Sequence, residues 1–146
     1  MGIRPEVKSY EISKHRYYEL QHMCYQYPEW KMKLEELMPL GRVGEEVHGG
    51  GNGSPTENLA IKRAVYEEKC TKIEKAAVEA GIMRFNNGQE INIGYYILKA
   101  VTDENFKYND YAEKIHCSKD YFYRCRRKFF YIIDKLLYLY FRQAYF

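Results

Sequence analysis

The sequence predicts an all-α protein, an N-terminal helical hairpin joined to a C-terminal helix-turn-helix domain that ends in a long helix. Three observations carry this. Apolar residues recur at steps of three and four through most of the 146 residues, which is the spacing of one helix face. Two breaks divide the chain, a glycine-rich stretch at Gly41 to Gly53 and a cluster at Gly81 and Asn86-Asn87-Gly88. Residues 106 to 129 have the pattern of a short helix, a tight turn and a longer helix.

In chain order, Pro5 suits the first turn of a helix, and the segment from there to Met38 is almost uniformly helix-compatible. Leu20, Met23, Tyr27, Trp30, Leu34 and Leu37 form one apolar seam. Pro28 removes a backbone donor and crowds the preceding turn, so a kink or a break is expected near Gln26-Tyr27, with two helices as the cautious reading. The mixed charges opposite, Lys14, Arg16 and Glu19 among them, read as a solvated face.

Six glycines between Gly41 and Gly53 mark a flexible linker. A phosphate-cradling loop is disfavoured there, because no Gly-Lys-Ser/Thr closes the stretch. Ser54-Pro55-Thr56-Glu57 is a helix start, with a cap, a proline at the first helical position and a glutamate that completes a capping box. From there Leu59, Tyr66, Cys70, Ile73, Ala77 and Ala80 form a second seam, and the two seamed helices fold back on each other or pair between subunits. The division expected is a helical hairpin over 1–84, serving oligomerisation, and a helix-turn-helix domain over 85–146. A backing helix spans Gln89 to Asp103, followed by a turn in which Asn105 takes a left-handed backbone.

In the motif, Tyr111, Ala112 and Ile115 face inward from a short first helix, and the chain turns at His116-Cys117. Ser118 caps the second helix. On that helix Phe122, Cys125 and Phe129 share the inward face, continued by Ile133, Leu136 and Tyr140, while Lys119, Asp120, Tyr123, Arg124 and Arg127 share the outward one. The aromatic tail from Tyr138 to Phe146 is expected to pack on the hairpin or across a dimer interface.

Charge follows this division. The net charge is +3, but the nine basic residues from Lys107 to Arg142 face only four acidic ones (Asp110, Glu113, Asp120, Asp134), so the positive charge is concentrated on the motif. An outward face of one acid, one tyrosine and three bases, beginning at a capped helix N-terminus, suits the major groove of double-stranded DNA. Lys119, Tyr123 and Arg124 are assigned to bases; Arg127, Lys128, Lys107 and Lys114 are assigned to phosphates.

Other classes are disfavoured. Cys24, Cys70, Cys117 and Cys125 lack the spacing of a zinc site and read as packing residues, so neither a metal nor a cofactor is expected. No catalytic arrangement can be assembled with better than chance spacing, so the protein is not expected to be an enzyme. The N-terminus lacks the apolar stretch of a signal peptide, Glu6 stands where myristoylation needs Ser or Thr, and no apolar run reaches about 18 residues, which together predict a cytoplasmic protein.

The segment from Phe106 to Ile115 resembles the opening of a sigma-70 region 4 helix-turn-helix, and Ser118 to Arg126 resembles its second helix in the form found in phage transcriptional regulators of the RinA/ArpU type. Tyr25-Gln26-Tyr27-Pro28-Glu29 and the stretch Gly53 to Lys62 are similar to two further segments of those regulators, so the resemblance covers nearly the whole chain. It implies an activator of phage or prophage late genes that binds a promoter or operator, acts as a homodimer or higher oligomer, and has host RNA polymerase as a further candidate partner. Lys107, His116 and Tyr121 depart from the family pattern, standing where Thr, Gly and Thr are usual. With Lys107 in place of the capping Thr, Asn105 or Asn109 is left to cap the first motif helix. Two alternatives remain beside this reading: a small terminase-type packaging subunit, and a module that touches polymerase without reading DNA.

Overall fold

The computed structural model describes residues 10–37 and 55–145, with side chains described for 10–37 and 57–137. It is mostly helical. Ser13 opens α1 (Lys14–Cys24) by accepting the Arg16 amide at Oγ (3.2 Å). Tyr10 to Ser13 are not helical, so of the continuous helix expected from Pro5 only the part from Lys14 is present among the described residues. The break near Pro28 occurs as expected: α1 is capped at Tyr25, and α2 (Tyr27–Leu37) begins with Pro28 in its first turn, where a missing N–H leaves no helical bond unmade.

The long α3 (Pro55–Ala80) starts at the expected proline. The linker Gly41 to Gly53 and the cap Ser54 lie outside the described residues. Cys70, Ile73, Ala77 and Ala80 of the predicted seam are buried, and so is Ala76; Leu59 and Tyr66 are half-buried.

Two compact units result, and they cut the chain differently from the division at residue 84. Among the described residues, 26–37 and 55–71 make one, and 10–25 with 72–145 make the other. In the first, Trp30 is buried and the Lys69 ammonium lies 4.9 Å from its ring centroid, which brings α2 and the first part of α3 together. In the second, α1 joins the C-terminal elements instead of pairing in a hairpin with α3, because Leu20 and Cys24 supply part of the core there.

The backing helix is shorter than expected. Its predicted first turn is instead a strand: β1 (Ile82–Arg84) pairs antiparallel with β2 (Glu90–Asn92), with Met83 opposite Ile91. Gly88 has a φ of 85° and its amide donates to the Phe85 carbonyl (2.9 Å), while the Gln89 amide donates to Asn87 Oδ1 (2.9 Å). This is a three-residue hairpin loop, a β-turn with Asn86 and Asn87 at its centre followed by Gly88 in the left-handed conformation that closes it. The helix α4 (Gly94–Thr102) follows and buries Ile97, Ala100 and Val101.

Its position is set by two glycines in contact. A Cβ on Gly81 would collide with the Gly94 backbone nitrogen, and one on Gly94 would stand 2.9 Å from Val78 Cα and 3.0 Å from the Ala77 carbonyl oxygen. Gly94→Ala therefore requires backbone to move, and a loss of about 1–3 kcal/mol is expected in a denaturant titration.

Between α4 and the last helix, α5 (Lys119–Tyr145), the first motif helix is not an α-helix. It is a 3-10 turn, Tyr108–Asp110, followed by one turn closed by the Ile115 amide on the Tyr111 carbonyl (3.0 Å). Ala112 is exposed and does not face inward as expected; Ile115 is buried and Tyr111 half-buried. Two causes are visible. Neither Asn105 nor Asn109 caps the turn, since Lys107 precedes it with no side-chain bond to its amides. Aromatic rings also hold the segment directly: Phe106 stacks on Tyr111 (centroids 5.3 Å apart) and on Phe122 (5.7 Å), and Tyr108 lies 5.5 Å from Phe122. No described non-glycine residue has a positive φ, so Asn105 and His116 are both right-handed or extended. The Asn105 amide is instead taken up by Asp103 Oδ1 (2.9 Å).

Candidate nucleic-acid interface

The start of α5 is fixed from two sides. Ser118 accepts the Tyr121 amide at Oγ (3.2 Å), and the Tyr108 hydroxyl donates to the Cys117 carbonyl (2.6 Å), which anchors the turn leading into the helix. Ser118→Ala is expected to cost about 1 kcal/mol, read as a shift in the denaturation midpoint.

From that fixed start the helix separates its faces as the sequence predicts. Phe122, Cys125 and Phe129 are buried, joined by Phe130 and Ile133. Lys119, Asp120, Tyr123, Arg124 and Arg127 are exposed. The exposed set spans nine residues from Lys119 to Arg127, which at 1.5 Å per residue is about 13 Å. A B-DNA major groove is about 12 Å wide. Lys107 and Lys114 are exposed on the segment before the helix.

Lys128 is placed differently from Arg127. It is half-buried, with its ammonium 5.7 Å from the Tyr10 ring centroid, so it is turned toward the N-terminal segment. Tyr121 is half-buried and hydrogen-bonds Cys125 one turn on, and burial pushes its hydroxyl pKa up, so it is engaged within its own helix. The placement of Lys128 follows from its contact with Tyr10, more than 110 residues away in the chain, and helical spacing carries no sign of that.

Arg126 is the neighbour that the spacing argument leaves out. It is half-buried, its guanidinium carbon lies 5.9 Å from the Tyr123 ring centroid, and its Nε is buried with no hydrogen-bond partner. It flanks the exposed face and holds a positive charge against the ring that faces outward. Arg126 and Arg127 also act on Tyr17 of α1, where burial raises the hydroxyl pKa and the two guanidiniums pull it part of the way back.

Cys24 and Cys117 are held as neutral thiols. Burial raises the Cys24 thiol to about 12 and, with a smaller contribution from Cys125, the Cys117 thiol to about 12, so both are protonated at neutral pH and poor nucleophiles or ligands in that form. Among the described residues, no group of three or more His, Cys, Asp or Glu is arranged to hold a metal ion, and no helix is long and apolar enough to cross a membrane. No family model, curated protein or solved structure matches the chain.

Proposed function

We propose that the protein is a sequence-specific DNA-binding regulator that lays the first turns of α5 in the major groove. The observation that carries this is the exposed face of Lys119, Tyr123, Arg124 and Arg127, presented from a capped helix N-terminus and backed by the buried Phe122, Cys125 and Phe129. Residues at the start of such a helix reach base edges; Arg127, Lys107 and Lys114 meet phosphates on either side. The first motif helix being a stapled turn does not weaken this reading, because groove contact needs only that α5 be rigidly presented. Phe106, Tyr108 and the Tyr108–Cys117 bond supply that rigidity.

The resemblance of the motif to RinA/ArpU-type regulators makes late-gene activation in a phage or prophage the reading we favour, with a second copy of the chain supplying the other half-site. The test is binding to duplex DNA as a function of salt, followed by selection from a random-sequence pool. A protein that neutralises several phosphates loses affinity steeply between 50 and 200 mM salt and enriches one sequence. Salt-independent binding with no enriched sequence would instead support a module that contacts protein alone.

A further inference from the structure

We infer that the segment from Tyr10 to Tyr17 forms a second DNA contact, in which Lys14 and His15 meet the phosphodiester backbone at the edge of the groove that α5 enters. This rests on the DNA-binding reading above and adds a site to it. The placement comes from two ring contacts: Tyr10 packs on Tyr131 (centroids 5.3 Å apart), and Tyr17 packs on Phe130 (4.6 Å). Phe130 and Tyr131 are adjacent in a helix and point about 100° apart, so the chain between Tyr10 and Tyr17 passes over the strip of α5 that separates them. That strip carries Arg127 on one side of the crossing and Asp134 on the other, since each stands three or four residues from both rings. Arg16 confirms the line of the crossing by bonding Asp134 through Nε (2.6 Å).

Two consequences follow. The crossing closes the outward face of α5 just beyond Arg127, so the face open to a groove is the stretch of about 13 Å from Lys119 to Arg127. It also sets a strap of chain at the end of that stretch, where a duplex lying along the face would bring its backbone. The charge of the strap is divided, with Glu11 exposed in its extended part and the basic residues at its helical end. The first turn of α1 begins Lys14-His15-Arg16 and contains no acidic residue. Arg16 is matched by Asp134 and Glu19, whereas Lys14 and His15 are exposed and pair with no carboxylate among the described residues. Basic residues at a helix N-terminus oppose the helix dipole, so the arrangement works against folding unless an anion sits against it. The charges on this face of α1, which composition alone assigns to a solvated surface, here sit beside the recognition strip.

The experiment measures binding of the full chain to a mixed-sequence DNA duplex across a salt series, alongside thermal melting. Lys14→Ala is expected to weaken binding to all sequences alike and to lower the slope of log affinity against log salt by about one. Lys14→Glu is expected to weaken binding further while leaving Tm unchanged or raised, because the substitution relieves the clash with the dipole. Wild-type affinity and slope in both variants, with binding lost in Arg127→Ala, would overturn the strap contact and leave the groove reading standing. Loss of binding accompanied by a fall in Tm would make Lys14 a structural residue and overturn it as well. If the wild-type chain binds no duplex, both readings fall.

Discussion

Phe122→Ala is expected to destabilise the unit that contains α5 by about 3–5 kcal/mol. The side chain is fully buried and its ring meets Phe106, Tyr108 and Tyr123 at centroid distances of 5.5 to 5.8 Å. In a continuous helix-turn-helix, the first helix would keep its backbone bonds after such a loss. Here residues 106–117 have only a 3-10 turn and one further helical turn of their own, so Phe122 is what the segment is folded onto. Removing the ring therefore empties a cavity and also releases Phe106 and Tyr108 together. Urea titration followed by far-UV circular dichroism should show a lower midpoint. Phe122→Leu, which keeps most of the apolar volume, should recover the greater part of the loss. Equal stability of the wild type and Phe122→Ala would mean that the segment is held by something other than the ring stack.

The same stack explains why parts of the fold were legible in the sequence and others were not. The faces of α5 could be read directly, because Phe122, Cys125 and Phe129 recur at helical spacing beside charged residues that do not. The break at Pro28 was legible for a local reason, a missing donor. The β-hairpin has a local signal too, Asn86-Asn87-Gly88 between Ile82 and Ile91, but that cluster reads equally as a boundary and the apolar residues from Ile91 onward also fit a helix. The first motif helix is not legible because Phe106 and Tyr108 pack on the buried Phe122 ring and Tyr111 stacks on Phe106, and this tertiary stacking overrides helical spacing. The pairing of α1 with α5 through Tyr10, Arg16 and Tyr17 joins residues more than 110 positions apart, which no local pattern encodes.

Arg124→Ala is expected to lower affinity for the selected DNA sequence by about 1–3 kcal/mol, roughly five- to 150-fold, and to relax discrimination at one base position. Arg124 is exposed, so Tm should be nearly unchanged, which separates this loss from unfolding. Arg127→Ala makes the contrasting case. Arg127 sits where the strap crosses α5, at the end of the open face, and a duplex against that face presents its backbone there. Its loss should weaken all sequences by a similar factor and reduce the salt slope by about one, with base preference intact. The two arginines stand three residues apart on one helix and are chemically identical. A difference in kind between their effects, one on sequence and the other on salt, is the result expected if the start of α5 enters the groove and Arg127 meets the backbone at its edge. Competition anisotropy with selected and scrambled duplexes measures both quantities for both variants. If the two behave alike, losing affinity for every sequence with the same change in slope, α5 follows the phosphates without entering the groove. Arg124 would then be a second backbone contact, and sequence would have to be read by another part of the chain.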